Sequence, residues 1–207
     1  MAGTVAVTIS SSSNHFIDTN VLLKHANDDS GEFSADIETI LSEAAGSNPK
    51  RTLWVSSVLF GELRPSSLRP GKFEDIEGLA KYIRSIATVV APDPYAMLRA
   101  ARLRDLKWTK PPEKRGNGEL VRGMTLGDAI HIASALWVKE GWKVGDLEFL
   151  TFDNSSDKSI ETDPGTKSLP LLSLDKFTYE IGNDPDVLAV VRLPRLKPVL
   201  KQGRLDV

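Results

Sequence analysis

The sequence predicts an α/β fold built on a parallel sheet, and two observations predict it. Short apolar, β-rich runs alternate with longer helical patterns, and two of those runs end in an aspartate at a turn. Alternation of this kind threads a parallel sheet whose helices cover both faces, because each crossover must carry the chain back before the next strand begins.

The elements follow in order. His15-Phe16-Ile17 is a short strand closed by Asp18, and Val21-Leu22-Leu23 opens a helix. A second helix is expected from Phe33 to Ala45, with Phe33, Ile37, Ile40 and Leu41 on one face, stopped by Gly46-Ser47-Asn48-Pro49. Leu53-Trp54-Val55 reads as a strand, and Val58 to Leu63 as a helix ended by Pro65. Phe73 to Ala87 is an amphipathic helix leading into the strand Thr88-Val89-Val90, and Tyr95 to Leu106 is rich in good helix formers. Lys110 to Gly118 is a polar loop, Thr125 to Trp137 a strong helix, and Glu148 to Phe152 a strand that ends in Asp153. Asn154 to Lys167 reads as loop and Leu169 to Leu174 as a last short strand. Beyond Asp175, Pro194 and Pro198 in a basic, Leu- and Val-rich stretch suggest an extended tail. The division expected is a lead over residues 1–13, a domain over 14–174 and an extension over 175–207.

The composition narrows the chemistry. Hydrophobic residues make up 41% of the 207, enough for a packed core. With no cysteine, disulfides, thiolate zinc sites and a cysteine nucleophile are excluded. The only histidines are His15, His25 and His131, too few for a histidine-rich metal site. No apolar run approaches the ~20 residues of a membrane span, and Met1 to Ser13 lacks the basic start of a secretory signal. The expectation is a soluble cytoplasmic protein with no membrane partner. Its net charge of -2 predicts no general attraction to nucleic acid, yet the charge is uneven. Arg99 to Arg122 carries eight basic and three acidic residues, and Arg192 to Val207 five and one, so the remainder is strongly acidic.

Asp18 and Asp153 each follow a strand candidate, so they open on the carboxyl edge of the sheet, where ligands of such folds bind. Each also has a plain structural reading. Asp18 could cap the following helix, and Asp153 could hold a turn. Asp128 completes Thr125-Leu126-Gly127-Asp128, which approximates a capping box. Glu62 could be an ordinary solvent-facing glutamate. Gathered together, the four would repel one another, and a hard divalent cation would relieve that repulsion. An oxygen-only site points to Mg²⁺ or Mn²⁺ and away from zinc.

Four segments carry a family resemblance. Phe16-Ile17-Asp18-Thr19-Asn20-Val21-Leu22-Leu23 resembles the opening strand and turn of a PIN domain. Ser56-Ser57-Val58-Leu59-Phe60-Gly61-Glu62-Leu63 resembles the helix with its second acid. Leu126-Gly127-Asp128-Ala129-Ile130-His131-Ile132-Ala133-Ser134-Ala135 is similar to the third signature, and Phe149-Leu150-Thr151-Phe152-Asp153 to the fourth. The resemblance spans about Phe16 to Leu174. It implies a three-layer α/β/α PIN-like fold and a Mg²⁺- or Mn²⁺-dependent ribonuclease that leaves a 5′-phosphate and a 3′-hydroxyl. It assigns Asp18, Glu62, Asp128 and Asp153 to metal and catalysis, with Thr19, Asn20 and Thr151 as hydrogen-bonding support and Asp157 as an outer carboxylate or a loop acid. VapC-type toxins are the nearest-looking relatives, which implies an antitoxin partner and a homodimer. The lead, the loop near Pro111 to Gly123 and the tail depart from compact toxins.

Phosphate contacts are expected from Arg102, Lys110, Lys114 and Arg115 in the basic segment before Asp128, against the plain reading of solvated side chains. His131, three residues past Asp128, could face the site, but a packing role is the simpler reading. Trp54, Trp108, Trp137 and Trp142 could stack on bases but are expected mostly to pack. Two rivals stand beside a nuclease. Phosphatases of the haloacid-dehalogenase kind need Asp-x-Asp, which Asp18-Thr19-Asn20 lacks. A PIN-like scaffold that binds RNA or protein without cleaving is the other.

Overall fold

The computed structural model describes residues 12–27, 34–114, 121–154, 161–163, 166–177 and 183–199. Arg115, Asp157, Phe33 and residues 1–11 of the expected lead lie outside them. Strands β1 (Asn14–Ile17), β2 (Thr52–Ser56), β3 (Ala87–Val90) and β5 (Glu148–Leu150) form with β8 (Arg195–Leu196) a five-stranded sheet in the order β3-β2-β1-β5-β8. Every pairing in it is parallel. The helices between are α1 (Thr19–Ala26), α2 (Ser34–Ala44), α3 (Leu59–Glu62), α4 (Ile76–Ile86), α5 (Pro94–Asp105), α6 (Leu126–Gly141) and α7 (Pro185–Arg192).

Alternation along the strands sorts the core into two layers. Phe16 and Phe149 are register partners, stacked with ring centroids 5.8 Å apart. They pack on one face with Ala100 and Leu103 of α5, much of α6, and Val187 and Val190 of α7. Ile17, Leu53, Val55 and Leu150 point the other way, onto Val21 and Leu22 of α1, Ile37, Ile40 and Leu41 of α2, and Leu79 and Ile83 of α4. The result is the expected three-layer α/β/α fold. Helix α6 is buried without a break from Ala129 to Leu136, as befits a helix that is apolar on nearly every side. Ser134 uses its hydroxyl on the Ile130 carbonyl at 2.7 Å, so its burial leaves no unsatisfied donor.

Several element ends have identifiable causes. Gly46, at φ 93°, provides the left-handed residue that ends α2. Helix α4 starts three residues later than the periodicity suggests because Asp75 caps it, accepting from the Gly78 amide at 2.7 Å. Three expectations are corrected. The segment Leu169 to Leu174 is not a strand: Leu171–Phe177 is a 3₁₀ helix with Leu171, Leu174 and Phe177 buried, the period of three that this helix requires. The loop expected from Asn154 to Lys167 contains β6 (Glu161–Asp163) and β7 (Thr166–Ser168), which join β4 (Val121–Gly123) in a second sheet ordered β4-β7-β6. Among its described residues the tail is extended only at β8 (Arg195–Leu196), between Pro194 and Pro198. Its Val187, Val190 and Leu193 enter the core, and Asp184 caps α7 by accepting from Asp186 and Val187 amides. Helix α7 then delivers β8 to the edge of β5. Among the described residues no helix is long and apolar enough to cross a membrane.

Candidate functional site

Strand β1 is the point where the strand order reverses, since β2 and β3 extend to one side of it and β5 and β8 to the other. The crevice beyond the carboxyl ends of β1 and β5 is where such folds bind ligands, and the predicted acids and their supporting residues gather there. Asp18 follows β1 directly and is buried. Although it occupies the N-cap position of α1, its side chain makes no capping hydrogen bond. Instead Oδ2 accepts from Thr151 Oγ1 at 2.6 Å and from Asn20 Nδ2 at 2.7 Å. Asn20 Nδ2 also reaches Thr151 Oγ1 at 3.1 Å, and its Oδ1 accepts the Phe152 amide at 3.0 Å. Thr151 Oγ1 accepts the Asp153 amide at 3.0 Å. One short network thus ties the ends of β1 and β5 together and sets the aspartates that follow both.

Asp153 Oδ2 accepts the Leu171 amide at 3.0 Å, at the start of the 3₁₀ helix. The capping reading of Asp128 holds in part. Thr125 caps α6, accepting the Asp128 amide at 3.1 Å, and donates its hydroxyl to Asp128 Oδ2 at 2.6 Å. Glu62 ends the one-turn helix α3 and reaches the site from β2's side of the sheet. Its Oε2 accepts from Thr19 Oγ1 and lies 2.9 Å from His131 Nε2.

The electrostatics show that these groups act on one another. Burial raises the pKa of Asp18, and the charges of Glu62 and Asp153 add to the rise against relief from His131 and the Thr151 hydroxyl. Burial likewise pushes Asp128 up to about 6, with Asp18 and Asp153 raising it further and Thr125 and His131 opposing. Burial works against the charge on Glu62, but His131 and the Thr19 hydroxyl outweigh it and hold its pKa below the ordinary value. Burial also works against protonated His131, yet the Glu62 hydrogen bond and the charges of Asp18, Glu62 and Asp128 raise its pKa. His131 is therefore the cation-capable member of the cluster. The packing reading of this residue missed that role; the signal available was its spacing of three from Asp128, which puts both on one helix face.

Among the described residues, no group of three or more His, Asp or Glu side chains closes around a single point as a ligand set. The carboxylate oxygens are instead turned onto Thr151, Asn20, Thr125, Thr19, His131 and the Leu171 amide. The donor chemistry nonetheless suits a hard divalent cation: the oxygens are carboxylate, and burial, with neighbouring like charge added, raises the pKa of both Asp18 and Asp128.

Of the basic candidates, Arg115 lies outside the described residues. Arg102 forms ion pairs with Asp186 at 3.2 Å and Asp184 at 3.6 Å, holding α7 against α5. Lys110 Nζ lies 6.0 Å from the Phe177 ring centroid, and Arg122 lies over the same ring at 5.8 Å. Lys114 is exposed in the short 3₁₀ turn Pro112–Lys114. Of the tryptophans, Trp108 is fully buried, and Trp54 packs on Trp142 with centroids 5.1 Å apart. No protein-family model matches the chain, and no curated protein matches its sequence.

Proposed function

We propose that the chain is a divalent-metal-dependent ribonuclease of the PIN-domain type, with Asp18, Glu62, Asp128 and Asp153 as its carboxylates and Mg²⁺ or Mn²⁺ as its ion. The observation that carries this reading is the convergence of buried Asp18 and raised-pKa Asp128 at the carboxyl edge of β1 and β5. Two acids kept where charge is costly call for a counter-cation. A bound ion of this kind would lower the pKa of a water and offset charge on the phosphodiester.

The chain's own residues do the rest. Thr151 and Asn20 hold Asp18 Oδ2 in place, and the Leu171 amide orients Asp153. Thr125 holds one oxygen of Asp128. His131 and Thr19 hold Glu62, and His131 supplies a proton that balances part of the negative charge. The test is cleavage of a mixed RNA pool with Mn²⁺, with EDTA as control. EDTA-sensitive cleavage supports the reading. Binding without cleavage, at millimolar Mn²⁺, would instead identify a non-catalytic scaffold.

A further inference from the structure

Gly127 stands in the first turn of α6, one residue before Asp128. Glycine there calls for a reason, because it weakens a helix by up to about 1 kcal/mol relative to alanine. Backbone freedom is not the reason. Among the described residues the glycine with positive φ is Gly46, and Gly127 is not in that region. Space is the reason. A Cβ built on Gly127 would lie 2.1 Å from Glu62 Oε1 and 3.4 Å from Glu62 Cδ. The carboxylate of Glu62 thus rests against the bare Cα of Gly127, at the helix end whose dipole favours negative charge.

The other oxygen is held from the opposite direction. Glu62 Oε2 accepts from Thr19 Oγ1 and from His131 Nε2, at 2.9 Å for the latter. His131 is 1% exposed, so its ring cannot swing away without repacking. Helix α3, with four residues and an extended Leu63 after it, could not orient the glutamate alone.

We infer that Gly127 and His131 are positioning residues for Glu62, the first by leaving room for Oε1 and the second by gripping Oε2. Together they direct a carboxylate from β2's side of the sheet toward Asp18. The inference rests on the ribonuclease reading for the role of Glu62, while the cradle itself stands on the contacts. It also explains why Leu126-Gly127-Asp128 and His131 share one short segment: α6 carries one acid and seats another.

Gly127→Ala in the full chain tests this, read by Mn²⁺ binding in electron paramagnetic resonance and by thermal melting in EDTA. Losses of supporting contacts around a metal are typically about tenfold or more in affinity. Gly127→Ala is therefore expected to weaken Mn²⁺ binding about tenfold, with an unchanged or higher melting temperature, since alanine suits the helix. In a Glu62→Gln background the same change should alter affinity less than about twofold, because the pathway through Glu62 is already broken. An equal loss in both backgrounds overturns the inference. A second readout needs no metal: the His131 Nε2 proton resonance, identified by its disappearance in His131→Gln. It should move in Glu62→Gln and in Gly127→Ala. Should wild type fail to bind Mn²⁺, the ribonuclease reading falls and this resonance alone decides the cradle. Wild-type affinity and an unmoved resonance in Gly127→Ala would sink it.

Discussion

Thr151 donates its hydroxyl proton to Asp18 Oδ2 at 2.6 Å, joining the ends of two strands whose residues are 133 apart in sequence. Thr151 Oγ1 in turn accepts from Asn20 Nδ2 and from the Asp153 amide. Three groups therefore depend on one hydroxyl. Thr151→Val keeps the shape but removes one of the two donors to a buried carboxylate and the acceptor of the Asp153 amide. It should cost about 1–3 kcal/mol of stability and weaken metal binding, whereas Thr151→Ser should retain most of both. Thermal melts in EDTA and Mn²⁺ titration check this; a Val variant as stable as wild type would show that the hydroxyl holds nothing together.

Asp18→Asn and Asp153→Asn should each lower RNA cleavage at least about 100-fold, close to 2.7 kcal/mol in the barrier. Both should keep the wild-type circular dichroism spectrum. Asparagine retains an oxygen for Thr151 or for the Leu171 amide but removes the charge. Full activity in either variant, or in EDTA, would rule out the proposed chemistry.

The cluster also predicts how stability depends on pH without metal. Asp128 has a folded pKa of about 6 against an ordinary 3.8. Its contribution is fully present below the ordinary value and lost as pH rises through about 6. His131 is raised above 6.5, so its contribution is complete below that value and lost as pH climbs through the raised one. Glu62, lowered from 4.5, contributes above that value and stays constant through the neutral range. In EDTA the melting temperature should therefore fall from pH 5 to pH 8, and Asp128→Asn should flatten the lower part of that decline. Saturating Mn²⁺ should raise the melting temperature most at pH 8, where Asp128 has already lost its proton. A melting temperature that rises toward pH 8 in EDTA would contradict this account.

The basic segment divides into two roles. Arg102→Ala removes exposed ion pairs to Asp184 and Asp186, so it should cost under about 1 kcal/mol of stability and leave RNA affinity unchanged. Lys114→Gln with Arg115→Gln should weaken RNA binding in Ca²⁺ and flatten the dependence of log K on log salt by about 0.7 per lost contact. Fluorescence anisotropy across a salt series measures both. Wild-type affinity and slope in the double variant would remove this loop from the binding surface.

The sheet was legible because its strands are apolar, short and separated by helices with clear periods; Phe16, Ile17, Phe149 and Leu150 all lie where alternation puts them. The positions of the acids were legible because each lies at or near the start or end of an element. What local pattern could not reveal was long-range partnership. His131 reads as a core residue on α6 until Glu62, 69 positions away, is beside it. Leu171 to Phe177 has the apolar content of a strand, and only its spacing of three, together with Asp153 at its start, makes it 3₁₀. The C-terminal segment looked extended because Pro194 and Pro198 lie in a basic, Leu- and Val-rich stretch, and only β8 between them is so. Pro185 in fact opens α7, a position that needs no amide donor.

Strand β8 braces the strand that leads into the site. The amides of Phe149 and Thr151 donate to the carbonyls of Pro194 and Leu196 at 2.8 and 3.0 Å, so the strand that carries the Thr151 hydroxyl is braced from its far side by residues more than forty positions onward. During synthesis all four carboxylates exist once residue 153 has been added, but the bracing strand does not. Contacts this distant in sequence form slowly, after loop closure. A growing chain would therefore fix the arrangement of these charges only after Arg195 and Leu196 have arrived to pair with the strand before Asp153.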